Sequence, residues 1–422
     1  MKYWHRSLLL SLFAAGITPA VSQLSGFAVH DGDRVAFYGD SITAQRLYTE
    51  DVEEYVITRF PGWKVEFHNA GVGGDKVSGG YAGPVDLRLD RDVFAWHPNI
   101  VTVMLGMNDF YYRASEPGIV LTYTQGYQRL VESLKKNLPD ARITLIEPSP
   151  YDDVTRAPDH GGLNNALVQY GAVVAQISRE KGTQLVDFNE PVTEFLQIMN
   201  EKSPDLAKQV IPDRVHPQPG GHWIMAESLL KAWGAPPLVS SVIVNGSGKA
   251  PSVTASNAKV EDVVKSKTGL RWTETEGALP LPFPPPVLDP VLGLALKYSD
   301  LVAALDEETI AVQGLPGGKY DLLIDDENLG SFTDQELSAG LNLALINTPM
   351  LKQARLVALD VQERNELEDA RFNVIYPSLE GETSATAAAL ASALVAAESQ
   401  VHEDAQPQPH HFEIRAQNDA KP

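Results

Sequence analysis

The stretch VAFYGDSITA (Val35–Ala44) runs an apolar segment, Val35–Tyr38, straight into Gly39, Asp40 and Ser41. A serine between a Gly-Asp turn and a following helix stands where a nucleophile would, if the chain also supplies a base, a group that orients the base, and donors for an oxyanion. DRVHP supplies the first two. Asp213 and His216 are three residues apart, so one turn lets the carboxylate reach the imidazole Nδ1–H and leaves Nε2 to take the serine proton. In HNAGVGGD (68–75) the glycines let backbone N–H groups approach a substrate closely. VTVMLGMND (101–109) ends in Gly106, Asn108 and Asp109, and the Asn108 amide can point into the same crevice. A serine, a backbone N–H and an amide N–H are the ingredients of an oxyanion hole. Each residue alone has a plainer reading: Ser41 as a helix N-cap, Asn108-Asp109 as a turn, Asp213 and His216 as a surface pair. It is their joint occurrence that argues for chemistry.

Elements that could position them are readable between Val35 and Trp233. Short apolar runs at Val35–Tyr38, Lys64–His68, Ile100–Leu105, Arg142–Ile146 and Gln184–Asp187 are spaced for intervening helices. Tyr123–Leu138 places Tyr123, Tyr127, Leu130, Val131, Leu134 and Leu138 on one helical face before Pro139, and 161–180 and 220–233 read similarly. Alternating strands and helices predict an α/β domain with a parallel sheet covered on both faces, its reactive groups at the carboxyl ends of the strands. Gly234-Ala235-Pro236-Pro237 marks a boundary. Beyond it, Val239–Val244, Lys259–Val264, Thr309–Val312, Tyr320–Ile324 and Gly330–Phe332 read as short strands, and the proline-rich Leu279–Pro290 as extended. Helices are expected at 339–369 and 384–403. QPQPHHFEIRAQ offers one more strand, and GLNLALINTPM is apolar enough to be buried. The expected organisation is a leader at 1–22, an α/β domain at 23–235, a β-rich accessory domain at 236–338, and a C-terminal helical region and tail at 339–422.

The 422 residues are ample for more than one core. With 34 Lys and Arg against 55 Asp and Glu, the net charge of −21 opposes nucleic acid and anionic lipid as partners. There is no cysteine, hence no disulfide and no thiolate chemistry. Lys2 and Arg6, the apolar Leu8–Gly16 and the small residues before Ser22 read as a secretory signal cut near Ser22, which implies a periplasmic or secreted bacterial protein with no membrane insertion afterwards.

GDSIT, NAGVGGD, LGMND and DRVHP, in that order, resemble the four blocks of the SGNH, or GDSL, hydrolase superfamily across about 35–233. The resemblance implies a flavodoxin-like three-layer α/β/α fold and a cofactor-free esterase, lipase, thioesterase or carbohydrate deacetylase. It makes Ser41 the nucleophile, His216 the general base and Asp213 its orienting acid. Ser41 N–H, Gly74 N–H and the Asn108 side chain become the oxyanion hole. Lys76 departs from the pattern, standing where a small hydroxyl residue is common. The expected activity is hydrolysis of short, chiefly acetyl, esters on carbohydrate such as acetylated xylan. The alternatives are a lipase, lysophospholipase or arylesterase with the same residues, or a non-catalytic glycan-binding or scaffold protein; an oligomer is compatible with either. Asp159-His160 reads either as lining the cleft or as solvated, Asp187 as a structural cap, His97 as a surface turn residue and His410-His411 as at most an incidental metal contact, while Trp272 reads as core rather than a sugar platform.

Overall fold

The computed structural model describes residues 26–113, 116–372 and 385–417. The expected leader, 1–22, lies outside them, as do the last five residues. Strands β1 (Arg34–Gly39), β2 (Glu66–Gly71), β3 (Ile100–Met104), β4 (Arg142–Glu147) and β5 (Gln184–Asp187) form one sheet in the order β2-β1-β3-β4-β5, every pair parallel. This is the flavodoxin-like order. Val35, Ala36, Phe37 and Tyr38 are all fully buried, as a strand covered on both faces must be. One expected strand is displaced: the run at Lys64–His68 forms instead at Glu66–Gly71. The Lys64 N–H is held in the preceding turn by Asp31 Oδ1, and pairing with β1 continues through Gly71 opposite Gly39.

The helices follow from the same local rules. Besides short helices at Val85–Arg88 and Pro204–Val210, they are α1 (Ser41–Ala44), α2 (Leu47–Arg59), α3 (Pro117–Asn137), α4 (Asn164–Lys181), α5 (Asn189–Lys202) and α6 (Pro219–Ala232). Both α3 and α6 begin with proline at their first positions, where its missing N–H costs nothing. The α3 stripe Tyr123, Tyr127, Leu130, Val131 and Leu134 is buried, and the Tyr123 and Tyr127 hydroxyls donate to Leu105 O and Val103 O beside β3. Tyr123 stacks on Tyr170 of α4 at 3.9 Å, while α2 packs against α6.

After Pro237 come β6 (Leu238–Asn245), β7 (Ser252–Ser256), β8 (Ala258–Lys265), β9 (Gly269–Glu276), β10 (Glu307–Gln313), β11 (Lys319–Ile324), β12 (Glu327–Thr333), β13 (Leu341–Asn342) and β14 (Pro409–Ala416). Five form an antiparallel sheet, β8-β9-β14-β11-β12, and four a mixed one, β13-β10-β6-β7. The C-terminal QPQPHHFEIRAQ is therefore a central strand. The helix expected from Ala339 starts later, as α7 (Pro349–Ala370). Thr348 caps it by accepting from the Leu351 N–H, and Pro349 cannot be a helix interior. Its partner is α8 (Ala385–Asp404). In the apolar stretch before α7, Leu343 and Ala344 are buried but Leu345 is exposed.

Two hydrophobic cores result. One lies around the parallel sheet and takes in Leu281 and Phe283 of the proline-rich segment, and the other fills the space between the later strands and α7. Ile57 of α2 belongs to the second. Trp272 is in it too, stacked on Phe412 and donating to Glu274, so it is not available as a sugar platform. Among the described residues no helix is long and apolar enough to cross a membrane.

Candidate active site

The chain passes from β1 outward to β2 and then back across β1 to β3, which opens a crevice at the carboxyl ends of β1 and β3. The register aligns Gly39 with Gly71 on one side and Met104 on the other. Ser41, Gly73 and Gly106 each follow that row by two residues. Three strand ends thus deliver the three blocks to one place. Gly39 and Gly71 are needed for closeness: a Cβ on Gly39 would lie 2.1 Å from Thr43 Oγ1, and one on Gly71 would lie 2.3 Å from Ala44 N.

Ser41 opens α1, yet the cap is Asp40, whose Oδ1 accepts from the Ile42 N–H at 3.0 Å. The Ser41 hydroxyl is therefore not spent on capping. It lies 2.8 Å from His216 Nε2, and His216 Nδ1 lies 2.6 Å from Asp213 Oδ2. Asp213 Oδ1 also accepts from the backbone N–H groups of Val215 (2.9 Å) and His216 (2.8 Å). Burial works against the Asp213 charge, but these hydrogen bonds outweigh it and hold its pKa below the ordinary range. An ionised Asp213 only accepts, so Nδ1 carries the proton and Nε2 is left to accept from the Ser41 hydroxyl. Ser41 and His216 are both partly exposed, within reach of a substrate.

The turn carrying this pair is braced. Arg214 between them adopts φ 72°, which costs a side chain about 1–2 kcal/mol. Its guanidinium donates to Ala157 O at 3.0 Å and pairs with Asp159 Oδ2 at 3.2 Å, while its carbonyl accepts from the Asp152 N–H. Tyr151 donates to the same Asp159 oxygen. Asp159 is thus an anchor of the site wall; the neighbouring His160 is exposed.

On the other side, Asn108 Nδ2 donates to Asp75 O at 3.0 Å and Asp109 Oδ1 accepts from the Val77 N–H at 3.2 Å, which ties the glycine loop to the loop after β3. An amide nitrogen has two hydrogens, so Asn108 keeps a second N–H. The Tyr112 hydroxyl lies 3.5 Å from Asn108 Oδ1 and favours that orientation. Gly74 has φ 73° and nothing within 4 Å of where a Cβ would be, so this backbone faces open space; Gly73 lies against Ser41. Beneath the loop, Asp75 meets Arg88 at 3.0 Å, both fully buried, and Arg88 also holds Asp92 and Ala70 O. Burial raises the pKa of Asp75, and takes Asp40 and Asp109 to about 7. Arg88, Tyr112, Tyr151 and Arg214 escaped sequence reasoning. Only Arg214, inside DRVHP, had a local signal.

The remaining candidates are structural. Asp187 accepts from the Asn189 and Glu190 N–H groups at the start of α5. His97 takes a left-handed turn before Pro98. His410 Nδ1 lies 2.6 Å from Asp325 Oδ2, and His411 uses its backbone N–H on the same carboxylate.

A sequence model of the GDSL-like lipase/acylhydrolase family matches residues 37–224, the segment that holds all four blocks. Over those residues, its α/β part, the chain belongs to the SGNH/GDSL hydrolase superfamily. A curated relative of this SGNH hydrolase is an acetylxylan esterase from Geobacillus stearothermophilus, 25% identical over 223 residues, which are 49% of this chain and 96% of that one. The solved structure of that bacterium's acetylxylan esterase aligns with 49% of this chain and 97% of its own at 25% identity and a TM-score of 0.41. The structure of a gut microbial diltiazem-metabolizing enzyme aligns with 92% of this chain and 98% of its own, at 24% identity and a TM-score of 0.78. The later strands and helices therefore recur there with the α/β part as one fold. At the coarse level the protein is a hydrolase of the GDSL esterase family.

Proposed function

We propose that the protein is an exported serine esterase that removes short acyl groups, chiefly acetyl, from carbohydrate. The observation that carries the mechanism is the unbroken chain Asp213–His216–Ser41, with separations of 2.6 and 2.8 Å. Ser41 Oγ attacks the ester carbonyl as its proton passes to His216 Nε2, and the resulting imidazolium is stabilised by Asp213. The oxyanion is met by the N–H groups of Ser41 and Gly74 and by the second N–H of Asn108, each such donor being worth about 10²–10³-fold in rate. Nε2 then protonates the leaving alcohol. Water, deprotonated by the same nitrogen, releases the acid from Ser41. The choice of substrate draws support from the acetylxylan esterase relative. It also fits the exposed Tyr111 and Tyr112 on the loop after Asn108, whose rings suit a sugar better than an acyl chain. Export is inferred from the N-terminal charge and apolar pattern.

The test compares mature protein with Ser41→Ala on p-nitrophenyl esters from acetate to long chains and on acetylated xylan, following released acetate. We expect serine-dependent acetate release, p-nitrophenyl ester rates that fall with chain length, and a loss of at least about 10⁴-fold in Ser41→Ala. Rates that rise with chain length would make it a lipase. Wild-type turnover in Ser41→Ala would end the serine mechanism.

A further inference from the structure

The loop after Asn108 meets the glycine loop through a strained pair of tyrosines. Tyr111 and Tyr112, two bulky residues in succession, both adopt left-handed backbone, with φ 54° and 52°. Such strain gathers at functional sites. Its effect is to hold the Tyr111 ring out in solvent, about half exposed. Lys76 Nζ lies 5.1 Å from the centre of that ring, and Arg113 Cζ lies 5.5 Å from it. Two cations thus share one ring. Four other arginines lie on aromatic rings, Arg34, Arg59, Arg88 and Arg214, and each also holds a carboxylate. Among the described residues, Lys76 and Arg113 form no ion pair within 4 Å, although Lys76 is near enough to Asp109 to favour its charged form.

Lys297, on the ring of Tyr298, likewise forms no ion pair among the described residues, so it is the sharing of one exposed ring that sets Lys76 and Arg113 apart. The position is also specific. Lys76 sits between the two tethers of the glycine loop, Asp75 O to Asn108 and Val77 N–H to Asp109, and Tyr111 follows Asn108 by three residues. The two cations therefore stand on the two loops that are tied together through Asn108 and Asp109. A neutral substrate gains nothing from them, and both would repel each other less with an anion between them.

We propose that Lys76, Tyr111 and Arg113 form a subsite for a substrate carboxylate, so that the preferred ester sits on or beside an acidic sugar. This rests on the esterase reading above. The carboxylate is bound by two charge-assisted donors, and the Tyr111 ring spaces them and packs against the sugar. The net negative charge excludes polyanions at long range, while the local pair reverses the sign at the mouth.

The test uses the full mature protein, with Lys76→Met/Arg113→Met and the charge-keeping Lys76→Arg/Arg113→Lys beside wild type. The substrates are acetylated xylo-oligosaccharides with and without a glucuronic acid branch. Mono-p-nitrophenyl succinate against p-nitrophenyl acetate asks whether a carboxylate on the acyl side is accepted instead. Binding of deacetylated acidic and neutral oligosaccharides to Ser41→Ala, by calorimetry, reads the subsite without turnover. We expect wild type to favour the acidic oligosaccharide in kcat/KM, through KM. That ratio should fall about 10-fold in the double methionine variant, be largely restored in the charge-keeping one, and shrink in 0.5 M salt. Acidic oligosaccharide should bind Ser41→Ala more tightly than neutral. An equal ratio in wild type and the methionine variant, together with equal binding, overturns the subsite and leaves the esterase standing. A preference confined to the succinate ester overturns the acidic sugar. Charge-selective binding without Ser41-dependent turnover on any ester overturns the esterase and keeps the subsite.

Discussion

Asp213 performs two jobs with its two oxygens, and they can be separated. Oδ1 closes the turn by accepting from the Val215 and His216 N–H groups, and Oδ2 holds the His216 ring. An asparagine keeps an acceptor for the turn but removes the charge that fixes the tautomer and balances the imidazolium. Asp213→Asn should therefore lower kcat by about 10²–10³-fold, with KM and the melting temperature nearly those of wild type. The Asp213 side chain is 55% exposed, so water takes over part of its role, which places the loss below that of a fully buried acid. Steady-state kinetics beside thermal unfolding checks this, and an equal fall in stability and rate would mean that the carboxylate serves only the turn. The four motif blocks were legible because each packs its chemistry into a few consecutive residues at a strand end. Arg88 was not, because it reaches Asp75 from 13 residues away with no turn or repeat to announce it. Ser41 shows how far a single residue can mislead: serine after a strand suggests an N-cap, and the acid just before it is the cap instead.

The elements explain why the site is so tight. The end of β2 lies directly on the backbone of α1, and a Cβ on Gly71 would meet Ala44 N at 2.3 Å and Thr43 C at 2.7 Å. Backbone cannot step aside as a flexible side chain can, so Gly71→Ala must move α1 and with it Ser41. Overpacking of this kind costs about 1–3 kcal/mol, and kcat should fall more than KM rises. Gly62→Ala, which meets open space, should leave both within about 0.5 kcal/mol of wild type. Chemical denaturation and kinetics on the two variants decide it; a silent Gly71→Ala would mean that α1 is not fixed by β2. At this scale the α/β half was readable because its strands are continuous apolar runs. In the later half β9 was missed for a definite reason. Its buried positions alternate as a strand's should, at Leu270, Trp272, Glu274 and Glu276, but two of the four inward residues are acids. A pattern that scores acids as outward hides such a strand. The pairing of β9 with β14, some 140 residues on, is likewise beyond any local signal.

Over the whole molecule the two halves are joined by ion pairs, most of them buried, as well as by apolar contact. From α7, Arg364 pairs with Glu53 of α2, Glu368 lies 2.9 Å from His68 of β2, and Asp369 lies 3.1 Å from Arg46, just behind α1. Asp306, before β10, meets Arg59 at the end of α2 at 3.3 Å. Nearby, Glu276 and Glu308 are both fully buried and face each other, so they satisfy one another only if one carries a proton. Burial, reinforced by neighbouring acids, raises Glu276 to about 8 and Glu308 well above its usual value; burial alone takes Asp306 to about 7 despite Arg59. Glu368 goes the other way. Burial opposes its charge, but His68, Arg364 and Arg46 hold it at about 2. The signs then follow. A carboxyl raised on folding keeps a proton that the unfolded chain loses near pH 4, so its share of stability is full below that and disappears as pH climbs towards 8. The share from Glu368 is present above its unfolded value and is lost as pH falls towards 2. The melting temperature should therefore peak near pH 5 and decline from pH 6 to 8.5. Glu308→Gln, which cannot ionise but fills the same space, should flatten that decline while leaving the acid side in place. Growing negative charge over the surface would lower stability in both proteins alike, so the difference between the two pH curves isolates the buried pair. If wild type and Glu308→Gln run parallel from pH 6 to 8.5, the junction between the halves does not depend on a shared proton.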